Sequence, residues 1–220
     1  MDAPALDRIR HLDALDALDR VNRVSLSDGR VWTEIVRLAR NGVRPVRVLD
    51  VACGGGDVLL RVARRAMRAG VDVELHGCDL SPVALERARC RGGDAMGVTF
   101  HELDVSGVPL PRGHHLMCSS LFLHHLSWEG AARLLGAMAA ASERVVLVQD
   151  LRRTRLGHLF ARIGLGVLTH SDVARHDGLV SVAAAFTLVE AKALCREAGL
   201  ESAEVSACWP QRFTLRWVRA

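Results

Sequence analysis

Tyrosine is absent from this 220-residue chain, lysine occurs once, at Lys192, and no two cysteines form a Cys-x-x-Cys pair. Each shortage weighs against a class of chemistry. Without tyrosine there is no Tyr-x-x-x-Lys pair, which disfavours an NAD-binding oxidoreductase but leaves it as an alternative. The positive charge is almost all arginine, scattered among Asp and Glu, and a net charge of +4 spread that way reads as solvated helix faces rather than a nucleic-acid footprint. The six cysteines (53, 78, 90, 118, 195 and 208) have no metal-ligand spacing. Cys78 and Cys118 fall in apolar strand patterns, where a free thiol packs as a small hydrophobe, so neither a disulfide framework nor structural zinc is expected. Arg, Asp or His interrupts every apolar run before it reaches membrane-spanning length, so stable membrane insertion is not expected. The stretch from Met1 to Arg10 is charged from its second residue and lacks an apolar export core, which predicts a cytoplasmic location. Half the residues are apolar and a quarter charged, as expected of a soluble globular chain with one sizeable core.

What is present is an alternation of strand and helix patterns. Leu6, Ile9, Leu12, Leu15, Leu18 and Val21 recur at helical spacing. The stretch 25–29 (Ser-Leu-Ser-Asp-Gly) breaks that pattern, and a second helix is predicted from Val31 to Leu38. From residue 46 onward, strands are predicted at 46–52, 73–78, 98–103, 115–121 and 144–149, with helices at 57–69, 82–91 and 128–141. A further helical stretch follows at 154–169, then a polar, irregular one at 170–181. Thr187 and Glu190 match a capping box, and 201–208 and 212–218 alternate as two closing strands around Trp209-Pro210. The expected fold is therefore α/β: a doubly wound, Rossmann-like, seven-stranded and mainly parallel sheet with an antiparallel closing strand and helices on both faces. Residues 1–44 are expected to form an amino-terminal helical lid and 45–220 the ligand-binding domain.

The most informative segment is 48–57, Val-Leu-Asp-Val-Ala-Cys-Gly-Gly-Gly-Asp, an apolar strand running into a glycine turn and then a helix. The glycines remove side chains where a ligand could approach the backbone, at the carboxyl end of a strand, where open α/β sheets bind nucleotides. A dinucleotide fingerprint needs glycines at the first, third and sixth positions; counted from Gly54, Gly56 is third but Leu59 stands sixth. Asp79 ends the next strand, where a carboxylate can accept from a ribose diol whichever nucleoside is bound.

Four segments together carry a resemblance: 48–57, 77–82 (Gly-Cys-Asp-Leu-Ser-Pro), 103–105 (Leu-Asp-Val) and 117–126 (Met-Cys-Ser-Ser-Leu-Phe-Leu-His-His-Leu). In their order and intervals they resemble the class I S-adenosylmethionine-dependent methyltransferases over about residues 45–219. The resemblance implies S-adenosyl-L-methionine as cofactor, with Ala52, Gly54 and Gly56 against its methionine part and Asp50 holding its amino group. It also implies Asp79 and Leu80 at the ribose, Asp104 and the Val105 backbone at the adenine, and Ser119, Ser120 and Leu121 on the sulfonium side. A sulfonium cation without phosphates suits a site of carboxylates and carbonyls, with no lysine or arginine cradle.

The acceptor must be read from the segment after the fourth strand. The Asn- or Asp-Pro-Pro-aromatic tetrad of nucleic-acid amine methyltransferases, the metal-binding aspartate of catechol enzymes and the paired glutamates of protein-arginine enzymes are missing there. What remains is a metal-independent enzyme acting on a small molecule, with no nucleic-acid partner. His124 and His125 stand where a base for a phenol or enol oxygen would act; His125 is favoured for the acceptor, and its neighbour for capping the next helix or bonding to backbone. O-methylation is expected, with C-methylation of a quinol or polyketide ring as the alternative. Asp150 and Arg152 leave the fifth strand beside this pocket, and Arg152 could bind an anionic oxygen or pair with Asp150 or Asp177. The segment around Asp150, with Asp177-Gly178 and 181–186, resembles a bacterial subgroup of aromatic secondary metabolism. His176 or His170 could be a second acid or base; with Asp172 and Asp177 they lack the spacing that would enforce metal-ligand geometry. Asn22, Arg23 and Trp32 are the lid candidates. The oligomeric state stays open, a homodimer included.

Overall fold

The computed structural model describes Leu15, Asp16, Asp19 and residues 27–105, 107, 109–157 and 180–219. Seven strands form one sheet: β1 (Val46–Val51), β2 (Val73–Asp79), β3 (Val98–Glu102), β4 (His114–Ser120), β5 (Ser142–Leu151), β6 (Glu204–Cys208) and β7 (Arg212–Val218). Their spatial order is β3-β2-β1-β4-β5-β7-β6. The first five pair in parallel, and β7 runs antiparallel to both β5 and β6. The order reverses between β1 and β4, and that switch point opens the crevice in which such sheets bind ligands.

Helices α1 (Ser27–Arg40), α2 (Asp57–Ala69) and α3 (Pro82–Cys90) cover one face, burying Val31, Ile35, Leu59, Leu60 and Leu85 against Val46, Val48, Leu116 and Cys118. Helices α4 (Trp128–Ala141) and α5 (Leu188–Glu197) cover the other, burying Leu135, Met138 and Leu194 against Leu49, Met117, Val146 and Phe213. Caps set the helix ends. Ser81 accepts from the Ala84 N–H with Pro82 in the first turn of α3, Ser127 accepts from Gly130, and Thr187 and Glu190 form the expected reciprocal box.

Two boundaries differ from the sequence reading, each through tertiary contact. Ser27, Asp28 and Gly29 lie inside α1 rather than in a break before it. Buried Asp28 is held there by Arg65 at 2.8 Å and Arg61 at 3.4 Å, both on α2. β5 extends beyond the predicted 144–149 because β7 pairs with it as far as Leu151↔Arg212. Among the described residues no helix joins β3 to β4, so the alternation lapses there and His76 and His101 stack on each other over the sheet. Helix α1, placed by sequence in the amino-terminal unit, shares the main core, and Trp32 packs against it. Most of the helices predicted at 5–23 and 154–169, and of the irregular stretch 170–181, lies outside the described residues.

Candidate functional site

The carboxyl ends of β1, β2, β3 and β4 bring four segments side by side. Asp50 pairs in register with Gly77 and Cys118, and Asp79 with Glu102. The turn after β1 bends sharply: Ala52, Gly54 and Gly56 have φ of 57°, 53° and 71°. At Gly56 a side chain is doubly excluded, since an added Cβ would stand 2.9 Å from Phe100 Cζ and 3.0 Å from Ala88 Cβ. The close approach of helix to strand that a sixth-position glycine would allow is achieved from the opposite side. Leu59 is fully buried against Gly77 of β2, where a Cβ would meet Leu59 Cδ1 at 2.9 Å and Cys53 Sγ at 2.8 Å.

Asp79 braces this turn. Its Oδ2 accepts from the Gly54 N–H and its Oδ1 from the Ser81 N–H, both at 2.8 Å. Leu80 beside it is 60% exposed. Asp104 is exposed and Val105 half-buried just past β3. Asp50 is buried, and the Cys118 thiol donates to its Oδ1 at 3.6 Å. Burial, reinforced by the charges of Asp79 and Asp57, pushes the Asp50 carboxyl up to about 7. At the end of β4 the Ser119 and Ser120 hydroxyl oxygens are buried without a hydrogen-bond partner, and Leu121 turns with φ 59° while its N–H donates to the Gln149 carbonyl. An unneutralised carboxylate and two orphaned hydroxyls around bare backbone fit a ligand with an ammonium group and polar atoms.

The two histidines separate. His124 is buried, and its Nδ1 lies 2.6 Å from Oδ1 of Asp150, itself wholly buried. Asp150 also accepts from the His124 N–H at 3.2 Å and the Leu151 N–H at 2.6 Å. Because a carboxylate accepts, Nδ1 is the donor in this contact, and Nε2 is the ring nitrogen not used by Asp150. His125 is exposed, its ring 4.2 Å from that of His124. The N-cap of α4 is Ser127 rather than either histidine. Arg152 makes no ion pair with Asp150, and its other expected partner, Asp177, lies outside the described residues. Its NH2 donates to Gln211 Oε1 at 3.0 Å, which also accepts from Thr154.

Sequence reasoning missed three features: the His124–Asp150 pair, buried Arg212 and the acidic contacts of the amino-terminal segment. Leu15 lies over Gly54, Asp16 pairs with Arg87, and Asp19 bridges Arg61 at 2.5 Å and Arg91 at 3.0 Å. The alternating acids of 13–19 could have signalled ion pairs, but not with which helices. Asn22, Arg23, His170, Asp172, His176 and Asp177 lie outside the described residues. Among the described residues no group of His, Cys, Asp or Glu is placed to hold a metal, and no helix is long and apolar enough to cross a membrane.

Comparison with known proteins agrees with this geometry. Residues 48–143 match a family described as a methyltransferase domain. Similar solved structures include an S-adenosylmethionine-dependent methyltransferase from Aquifex aeolicus, 15% identical over 98% of this chain and 100% of that one, with a TM-score of 0.65. The plantazolicin methyltransferase BpumL is 13% identical over 96% and 98% of the two chains, also at 0.65. The S-adenosylmethionine-dependent methyltransferase SibL is 22% identical over 88% of this chain, at 0.60, and the chain spans 55% of SibL's length. No curated protein sequence matches the chain.

Proposed function

We propose that this chain, whose residues 48–143 match a methyltransferase domain, is a class I S-adenosylmethionine-dependent methyltransferase that methylates oxygen on a small phenolic, enolic or lipid-like aromatic metabolite, with histidine as the base and no metal. The observation that carries the reading is the His124–Asp150 pair at the end of the crevice strands, with Nε2 available as an acceptor. A plantazolicin methyltransferase among the similar folds supports a small-molecule acceptor, and secondary metabolism as its setting.

The cofactor supplies the activated methyl group; the chain's own residues bind, orient and move a proton. Ala52, Gly54 and Gly56 offer backbone to the methionine part, and Asp50 its charge to the amino group. Asp79 and Leu80 take the ribose, Asp104 and Val105 the adenine, and Ser119, Ser120 and Leu121 the sulfonium side. His124 Nε2 accepts the proton of the acceptor hydroxyl, and Asp150 holds the ring and its resulting charge. The sequence favoured His125 for this step; burial and the 2.6 Å contact favour His124, with His125 flanking it. The amino-terminal unit 1–44 acts as the lid of this reading: α1 is its packed base, and Leu15 lies over the glycine turn.

S-adenosylhomocysteine should raise the melting temperature, by about 2.7 kcal/mol of stabilisation at a hundredfold excess over Kd, and NAD should not. Stabilisation by NAD alone would overturn the reading. Incubation with candidate metabolites, followed by a one-methyl mass gain, identifies the acceptor. With that acceptor, His124→Gln, which keeps a donor for Asp150, should lower turnover about 10²–10⁴-fold at unchanged S-adenosylhomocysteine affinity. If His125→Gln has that effect and His124→Gln does not, the base is His125.

A further inference from the structure

Arg212, the first residue of β7, is 2% exposed, and its guanidinium is used by one hydrogen bond, from NH1 to Ser27 Oγ at 2.8 Å. Its NH2 is buried with no partner. Other arginines also have unmatched nitrogens, but Arg61 is paired with Asp19 and Asp28, and Arg87 with Asp16. Arg212 has no such carboxylate within ion-pair distance among the described residues. The negative charge that acts on it most strongly is Asp150, whose oxygens already accept from the His124 ring and two backbone N–H groups, while Arg30 adds a second positive charge. Arg152 follows β5 at the same corner, where Leu151 pairs with Arg212, and its Nε is likewise buried and unpartnered.

A guanidinium stripped of water, with open donors and neighbouring cations, is costly unless an anion completes it. The desolvation is large enough to pull the Arg212 pKa down to about 10. The corner stands on the β5 side of the crevice, away from the β1 and β2 ends assigned to the cofactor. Asp150 links it to the base, carrying His124 directly and facing Arg212 electrostatically. Planar guanidinium donors match a carboxylate or a similarly delocalised oxyanion better than any neutral group.

We propose that Arg212 is the anion-recognising residue of the acceptor site, and that the methyl acceptor is a hydroxylated aromatic or enolic compound bearing a carboxylate or comparable oxyanion. The placement on the acceptor side rests on the methyltransferase reading above; the demand for an anion rests on Arg212 alone.

The test uses the full chain with saturating S-adenosylhomocysteine and three matched probe pairs: benzoate with benzamide, salicylate with salicylamide, and 1-naphthoate with 1-naphthamide. At least one acid should bind about tenfold or more tighter than its amide in calorimetric titration, the discrimination expected of a charge-assisted bond. Arg212→Met should bring that pair to within about twofold, while S-adenosylhomocysteine affinity is unchanged. Ser27→Ala, which removes the hydroxyl holding NH1, should weaken the acid severalfold and provides the test if Arg212→Met does not fold. An acid preference absent from all three pairs, or surviving both substitutions, overturns the proposal. Failure of S-adenosylhomocysteine to bind while the Arg212-dependent preference persists would instead overturn the methyltransferase reading and leave the anion site standing.

Discussion

Replacing Asp50 with asparagine separates the cost of a buried carboxylate from its use. Burial, with the charges of Asp79 and Asp57, raises this carboxyl from 3.8 to about 7, and the Cys118 hydrogen bond offsets only part of that. A shift of about three units corresponds to about 4 kcal/mol of folding free energy. The sign follows from the raised folded-state value. The penalty is absent below pH 3.8, where folded and unfolded chains are both protonated, grows as the pH rises toward 7 and is complete above it. Asp50→Asn should therefore stabilise the ligand-free protein at pH 8, by at most about 4 kcal/mol. An ammonium group placed beside Asp50 favours the ionised form, so ligand binding below pH 7 releases a proton. The affinity of the wild type for S-adenosylhomocysteine should then rise between pH 5.5 and 7, by at most about tenfold per unit, and level off above. The variant should bind more weakly and without that slope. Calorimetric titration at several pH values, in two buffers of different ionisation heat, reads both affinity and proton release. A flat wild-type profile, or the same slope in Asp50→Asn, would refute the placement of the amino group at Asp50.

Two predictions concern stability. Gly54→Ala meets only Leu15 Cδ2 at 3.8 Å and should cost about 1–2 kcal/mol for its left-handed backbone. Gly56→Ala adds overpacking against Phe100 and Ala88, for a total of about 2–5 kcal/mol. Equal urea midpoints would show that the packing at Gly56 yields freely. His76 and His114, 5.1 Å apart by ring centroid, both have pKa values lowered first by burial and then by neighbouring positive charge, except that a bond to the Pro111 carbonyl partly opposes the shift at His114. Their stabilising contribution is whole above 6.5 and is lost as the pH falls through the lowered values. His76→Gln with His114→Gln should flatten the acid limb of a melting-temperature profile below pH 6.5; an unchanged limb would place acid sensitivity elsewhere.

The parallel core was legible because period and punctuation agree in it. The helix at 57–69 begins after a glycine turn and ends at Gly70, and both limits match the sequence reading. The capping box at Thr187 was legible for the same local reason. Ser27 to Gly29 misled, because turn-forming residues are held in a helix by arginines of α2, distant in sequence. The β5 end of the crevice was least legible. Its parts come from β4, β5, α1 and β7, and no spacing rule links His124 to Asp150, or Ser27 to Arg212 across 185 positions.

By itself the sequence determined the order of strands and helices and the glycine turn with the carboxylates around it, since these rest on periodicity and turn chemistry within strand–turn–helix units. Only the tertiary structure decided which histidine is locked to a buried aspartate, that Gly77 rather than a sixth glycine admits the first crossover helix, and that Arg212 is desolvated with open donors. The physical reason is that hydrogen-bond satisfaction and desolvation depend on which strands become neighbours. That neighbourhood is set by burial of the whole sheet between its two helical layers, and no local pattern encodes it.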